Sequence, residues 1–243
     1  MINIYYSAFN HPTEDDFSWM YEEPQSLFKT KIKNKDKNRQ KDMPGFDECT
    51  AFQDLGTHTL VIKNPIQTHT KFTNFYLPNK QSPIIPTSKN SIHSEILRDN
   101  TLTGQKMFDY HMPHIFFADK SVDITLTAPY FHQTKHTEYG AVVPGRYDIG
   151  SWFRPLRFEI NLWEGINEWK IEEDEPLAYV NFSTQEKIKL HRFHLTPKLY
   201  NIASSCAESS AWWSGVPLVK RYAKFHASNA QKKVLEEIKL NIV

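Results

Sequence analysis

Between residues 57 and 195 apolar and polar positions alternate with a period of two, and proline rather than helix caps punctuates the runs, so this stretch predicts β-strands. Val122, Ile124 and Leu126 fall on one face, with Asp123, Thr125 and Thr127 on the other. Leu156, Phe158, Ile160 and Leu162 repeat the pattern up to Trp163. The turn residues Glu164–Asn167 then predict a hairpin whose second arm is Glu168–Ile171. Further strands are expected at Thr59–Lys63, Lys71–Leu77, Ile115–Ala118, Leu177–Ser183 and Lys187–Leu195. In the last of these, apolar parity moves from Ile188 and Leu190 to Phe193 and Leu195, which predicts a β-bulge near residues 191–192. One-sided alternation predicts antiparallel sheets with a wet face.

After residue 196 the period changes. Thr196 and Pro197 suit a helix N-cap and first helical position. Val219, Tyr222, Ala223, Ala230, Val234 and Ile238 fall on a rough 3.6-residue stripe, which predicts a second helix packed on the β region. No glycine- or serine-rich linker separates the two regions. One domain is therefore expected, with residues 1–56 as an N-terminal extension, 57–195 as the β core and 196–243 as packed C-terminal helices.

The 33 aromatic residues and only 8 glycines among 243 exclude collagen-like and wholly disordered chains. A formal net charge of +1 provides no global field towards nucleic acid or an anionic membrane. The one local exception, Lys29–Lys41, carries seven basic residues in thirteen with only Ile32 apolar, and reads as a solvated loop. Without interleaved aromatics it argues against a single-strand nucleic-acid site. Cys49 and Cys206 stand 157 positions apart, so no disulfide framework is indicated. The N-terminus lacks a signal-peptide pattern and no run of about 18 apolar residues occurs, so a soluble cytoplasmic protein without membrane association is expected.

Motif spacing removes several enzyme classes. No G-x-G, no Gly-Lys-Ser/Thr and no G-x-S-x-G occurs, which takes away dinucleotide folds, phosphate loops and the nucleophile elbow. Gly140, Gly145 and Gly150 read as turn punctuation. Among eleven histidines the most suggestive set is His136-Thr-Glu138. Were it on a strand, its two ligands would share a face about 7 Å apart. A distal His194 would then complete a two-His-one-carboxylate iron site, with Arg192 placed to anchor an oxo-acid. The surrounding residues lack apolar alternation, however, and read as loop; His132 and His136, spaced i, i+4, read as surface loop histidines. His111-Met-Pro-His114 reads as a loop entering the strand at Ile115. The glycosylation pattern at Asn181 lies inside a predicted strand. Trp163 and Trp169, on opposite arms of the expected hairpin, would form a stacking platform if both were exposed, or lie under a second layer. Trp212 and Trp213 cannot share one helix face, so one of them is a candidate contact residue.

Four pieces of sequence together are similar to a family of uncharacterised proteins from marine T-even-like tailed phages, with distant bacterial relatives. They are Trp19–Pro24, the Cys49 to Pro65 stretch, Tyr147–Glu159 with its DIGSWFRP core (148–155), and Glu175–Phe182. Where that family usually has glycine before Glu-Pro, this chain has Asp174; where it has proline after the early cysteine, this chain has Thr50. The resemblance implies a compact jelly-roll or cupin-like β unit, and it brings no activity, cofactor or catalytic residues. The fold class expected is thus mainly β, an antiparallel jelly-roll or cupin-like barrel or sandwich with C-terminal helices. The function expected is a phage-type binding or structural role, as a homo-oligomer, with a phage protein, a host protein or a small molecule as partner, in the host cytoplasm or the virion. The alternative is a cupin-like Fe(II) oxygenase using His136, Glu138 and His194.

Overall fold

The computed structural model describes residues 1–9, 23–29, 49–71, 95–99, 104–212 and 216–243. In chain order the elements are β1 (Ile2–Ala8), β2 (Gln25–Ser26), α1 (Thr50–Thr57), β3 (Thr59–Lys63), β4 (Thr68–Lys71), β5 (Glu95–Asp99) and β6 (Lys106–Ala118). There follow β7 (Asp123–Thr127), a 3-10 turn (Lys135–Glu138), β8 (Gly140–Val142), β9 (Gly145–Asp148), β10 (Pro155–Leu162), β11 (Glu168–Ile171), β12 (Pro176–Phe182) and β13 (Ile188–Arg192). Three helices close the chain, α2 (Pro197–Trp212), α3 (Leu218–Ala227) and α4 (Ala230–Leu240).

One sheet runs β13-β1-β6-β10-β8, with β5 also on β6; a second runs β2-β3-β12-β7-β9; β11 and β4 form a separate pair. Every pairing is antiparallel except β1 with β13. The two large sheets face each other across a core of Ile4, Phe108, Phe116, Phe158, Ile160, Ile124, Val180 and Phe182. Phe116 of β6 meets Phe182 of β12 edge-on at 6.1 Å across that gap. The protein is a β-sandwich with C-terminal helices, and among the described residues the sheets do not close into a barrel.

The faces of β7 and β10 are as alternation predicts: Ile124 and Leu126, and Leu156, Phe158, Ile160 and Leu162, are all buried. The outer face of the first sheet is not wet throughout. Tyr5, Ile115 and Phe117 carry a second core formed with Phe153, Phe193, Leu199, Ala203, Phe225, Val234 and Ile238 beneath the helices. This layer explains the parity change after Leu190. The register of β13 on β1 is unbroken from Ile188 to Arg192, so no bulge forms; the strand ends, and Phe193 belongs to the helical core instead.

Other expectations are also corrected. β10 and β11 do not form a hairpin, because the turn at Gly165 (φ +79°) sends the chain to β4 in a different sheet. His111–His114 is not a loop but part of β6, whose ladder with β10 shifts register between Pro155 and Arg157. β5 leaves β6 at Tyr110 and β1 joins it at His114, so Pro113 falls between the two ladders on that edge, while on the other edge it lies where the register with β10 shifts. The N-terminal stretch read as an extension supplies β1, a strand between β13 and β6.

Thr196 caps α2 as expected, its Oγ1 accepting from Leu199 N at 3.3 Å. The second helix is broken in two at Asn229 (φ +54°), so Val219 and Ala223 are exposed and Phe225 is buried in their stead. Beyond Lys71 the strand expected at Lys71–Leu77 lies outside the described residues, as do Lys29–Lys41 after Lys29 itself, and Trp213. No described helix is long and apolar enough to cross a membrane.

Candidate functional site

The residues of the expected iron site are not brought together. His136 sits on the 3-10 turn, 1% exposed, between Glu175 and Trp169. Its backbone N–H and its Nδ1 meet Glu175 Oε1 at 3.2 and 3.3 Å, and its ring lies edge-on to the Trp169 indole at 6.2 Å. Glu138, two residues on, is exposed. His194 is exposed on the helical side, its backbone N–H donating to Asn241 O at 2.9 Å, and Arg192 is exposed as well. Among the described residues no cluster of three or more His, Cys, Asp or Glu side chains could hold a metal ion. The donor set does not fit the group.

His136 instead belongs to a buried polar layer at one end of the inter-sheet core. Glu175 Oε2 accepts from Glu172 N at 2.9 Å. Burial works to raise the Glu175 carboxyl, but the hydrogen bonds from His136 and Glu172 outweigh it and hold the group at about 2. An ionised carboxylate only accepts, so Nδ1 of His136 carries a proton, and Nε2 lies buried with no partner. Nearby, Tyr110 O–H donates to Asn64 Oδ1 at 2.8 Å, and Asn64 Nδ2 donates to Glu172 O at 3.2 Å. Trp169, fully buried, packs on Phe108 and Tyr110 at 5.2 and 4.8 Å, and its indole N–H is also unpartnered.

Trp163 and Trp169 therefore form no platform. Trp163 is 44% exposed and spends its N–H on Thr137 O at 3.1 Å, while Trp169 faces the core. His132 is likewise no surface histidine: its Nδ1 lies 2.5 Å from the Tyr179 hydroxyl, and burial, with Lys63, pushes its pKa below the usual imidazole value. His114 is buried in β6 beside Phe116. Asn181 lies in β12 and donates to Thr59 Oγ1 at 2.9 Å.

The segment that carries the sequence resemblance is a crossing from β9 of one sheet to β10 of the other. Asp148 gathers four donors, Val122 N at 3.2 Å, Gly150 N at 2.9 Å, Ser121 Oγ at 2.8 Å and Ser151 Oγ. Burial raises its pKa, and the four hydrogen bonds more than reverse this, leaving it lowered. Gly150 lies in a turn, as expected, and it has a second constraint: a Cβ there would meet Lys120 O at 2.1 Å, so close backbone approach demands glycine. Trp152 then packs on Tyr222 and Phe225 of α3, at 4.6 and 5.4 Å, and Phe153 meets Phe117 edge-on at 5.2 Å. The crossing thus pins sheet to sheet and helices to sheet. The sequence resemblance marked its residues but not their partners Tyr222, against Trp152, and Cys206, hydrogen-bonded to the Phe153 backbone, which come from helices more than fifty positions away.

No protein-family profile matches the chain, and neither a curated protein nor a solved structure matches it.

Proposed function

We propose that this chain is a binding or structural β-sandwich protein of the phage type that its sequence resembles, not an Fe(II) oxygenase. The observation that carries this reading is the position of His136: its Nδ1 is committed to Glu175 inside the core, with Glu138 in solvent and His194 on the opposite, helical side. The His/Glu/His set would need a rearranged fold to share an ion. The proposal includes a homo-oligomer acting in the host cytoplasm or in the virion, with a phage protein, host protein or small molecule as partner. Near-cancelling charge supports a partner other than nucleic acid. Metal analysis of protein purified without a histidine tag tests it, with no stoichiometric iron expected. Iron at one per chain that disappears in His136→Ala would overturn it.

A further inference from the structure

A groove of about 590 Å³ opens between α1 and the end of β12. Ala51, Asp54, Leu55 and His58, spaced i, i+3, i+4 and i+7, form one wall from a single side of α1 and its cap. The other wall is Asn181 and Phe182 of β12 with Ser183, Thr184 and Gln185 of the turn that follows. His58 ties the two walls together. Its Nδ1 faces Asp54 O at 3.0 Å, its Nε2 faces Glu186 O at 3.1 Å, and its carbonyl accepts from Phe182 N at 2.8 Å. Small-molecule sites are mostly pre-formed clefts of about 300–1,000 Å³, and a groove with pinned walls meets that description.

The polar groups of these walls decide the kind of ligand. Asn181 gives its amide N–H to Thr59 Oγ1 at 2.9 Å, which leaves its Oδ1 to accept. Thr184 Oγ1 accepts from Glu186 N at 3.1 Å, and its hydroxyl proton has no acceptor among the described residues. The Asp54 carboxylate has the His58 ring 3.5 Å away and a side chain that is 69% exposed. Ser183 and Gln185 add an exposed hydroxyl and an exposed amide. Among the described residues no lysine or arginine lines the groove, and Lys120, the cation on the adjoining Glu186, is held by it at 2.5 Å. An anion would therefore face Asp54 with no cation to answer it. A wholly apolar ligand would cover Asn181 Oδ1 and the Thr184 hydroxyl without pairing them. A cation would meet a single carboxylate in a position where solvent screening leaves an ion pair little. A ligand hydroxyl both donates and accepts, so it suits carboxylate, amide and hydroxyl alike.

We propose that this groove binds a sugar, with Asp54 and Asn181 accepting from its hydroxyls, Thr184 and Ser183 donating to them, and Ala51 and Leu55 against the C–H face of the ring. The proposal rests on the binding reading above and narrows its partner to a small molecule. Stoichiometric iron in the untagged protein would overturn that reading, whereas the titration below reports on the groove alone.

The test is an NMR titration of ¹⁵N-labelled protein, following the assigned backbone amides. Glucose, galactose, mannose and N-acetylglucosamine are added separately to about 50 mM, where even a millimolar site is nearly filled. The amides of Leu55, Ser183 and Thr184 are expected to move saturably with at least one sugar, while those of α4 stay still. Asp54→Asn keeps the shape of the side chain and should weaken binding about tenfold, the loss of a charged hydrogen-bond acceptor. Thr184→Val should weaken it severalfold. No saturable shift with any of the four sugars overturns the proposal. So does a shift of the same amides with tetramethylammonium chloride or sodium acetate but with no sugar, which would mark an ion site. Unchanged affinity in a folded Asp54→Asn protein or, should that variant not fold, in Thr184→Val, overturns it as well.

Discussion

Replacing Glu175 by glutamine tests whether the buried His136–Glu175 pair holds this end of the sandwich together. In the native protein the carboxyl is lowered from 4.5 to about 2 although burial opposes it. A displacement of that size corresponds to about 3 kcal/mol of stability at neutral pH. Because the folded-state value is the lower one, the contribution is nearly complete at and above about pH 4.5 and disappears as pH falls through 2. At pH 3 roughly 1.4 kcal/mol of it remains. Glu175→Gln preserves shape but cannot accept from His136 Nδ1, His136 N and Glu172 N as a charged group does. Urea denaturation followed by far-ultraviolet circular dichroism at pH 7, 4.5 and 3 should show the variant about 3 kcal/mol less stable at pH 7. The gap to the native protein should narrow by about 2 kcal/mol at pH 3. For a chain of this length the melting temperature at pH 7 should fall by about 6–12 °C. A deficit under about 1 kcal/mol at pH 7, or one equally large at pH 3, would refute the assignment of Glu175 as an ionised anchor.

Two backbone substitutions bear on the crossings. Gly150→Ala would place a methyl group 2.1 Å from Lys120 O, so the backbone must move, and chemical denaturation should show a loss above about 2 kcal/mol or no folded protein. Asp174 holds φ +60° in the turn that delivers Glu175, with its N–H on Asn64 O at 2.9 Å. Asp174→Gly should raise stability by about 0.5–1 kcal/mol, read from the same denaturation curves; a loss would mean that the aspartate side chain contributes more than its backbone strain costs.

The strands whose faces differ in environment were readable from the chain. Thr59–Lys63 and Glu168–Ile171 have the predicted ends, and the inward residues of β7 and β10 are those of the alternation. β1 was not readable, because it is buried on both faces: Ile2, Ile4 and Tyr6 point to the inter-sheet core and Tyr5 to the helices, which leaves an apolar run without period. The same second layer made the change of parity after Leu190 look like a bulge. Pairings were the weaker part, since a turn such as that at Gly165 states only that the chain bends and not which strand receives it. His136 could be picked out as chemically interesting, but its partner Glu175 lies 39 positions on, and no spacing rule joins them. Arg154 was visible only as part of a resemblance; that its Nε is buried without a hydrogen-bond partner among the described residues is a property of the folded chain.

The parallel ladder between β1 and β13 makes the order of assembly a question of its own. Residues 2–6 lie against residues 188–192, so a growing chain must carry β1 with one edge open while the long stretch between the two strands emerges. Its other edge can be covered earlier, once Ile115–Ala118 are available. In the interval Ile4, Tyr5 and Tyr6 are an apolar segment with unpaired backbone, the kind of element that attracts other chains before its own partner arrives. Contacts of such long sequence separation also slow folding, because loop closure precedes any gain from the contact. β1 is therefore the place where misassembly of this fold would begin.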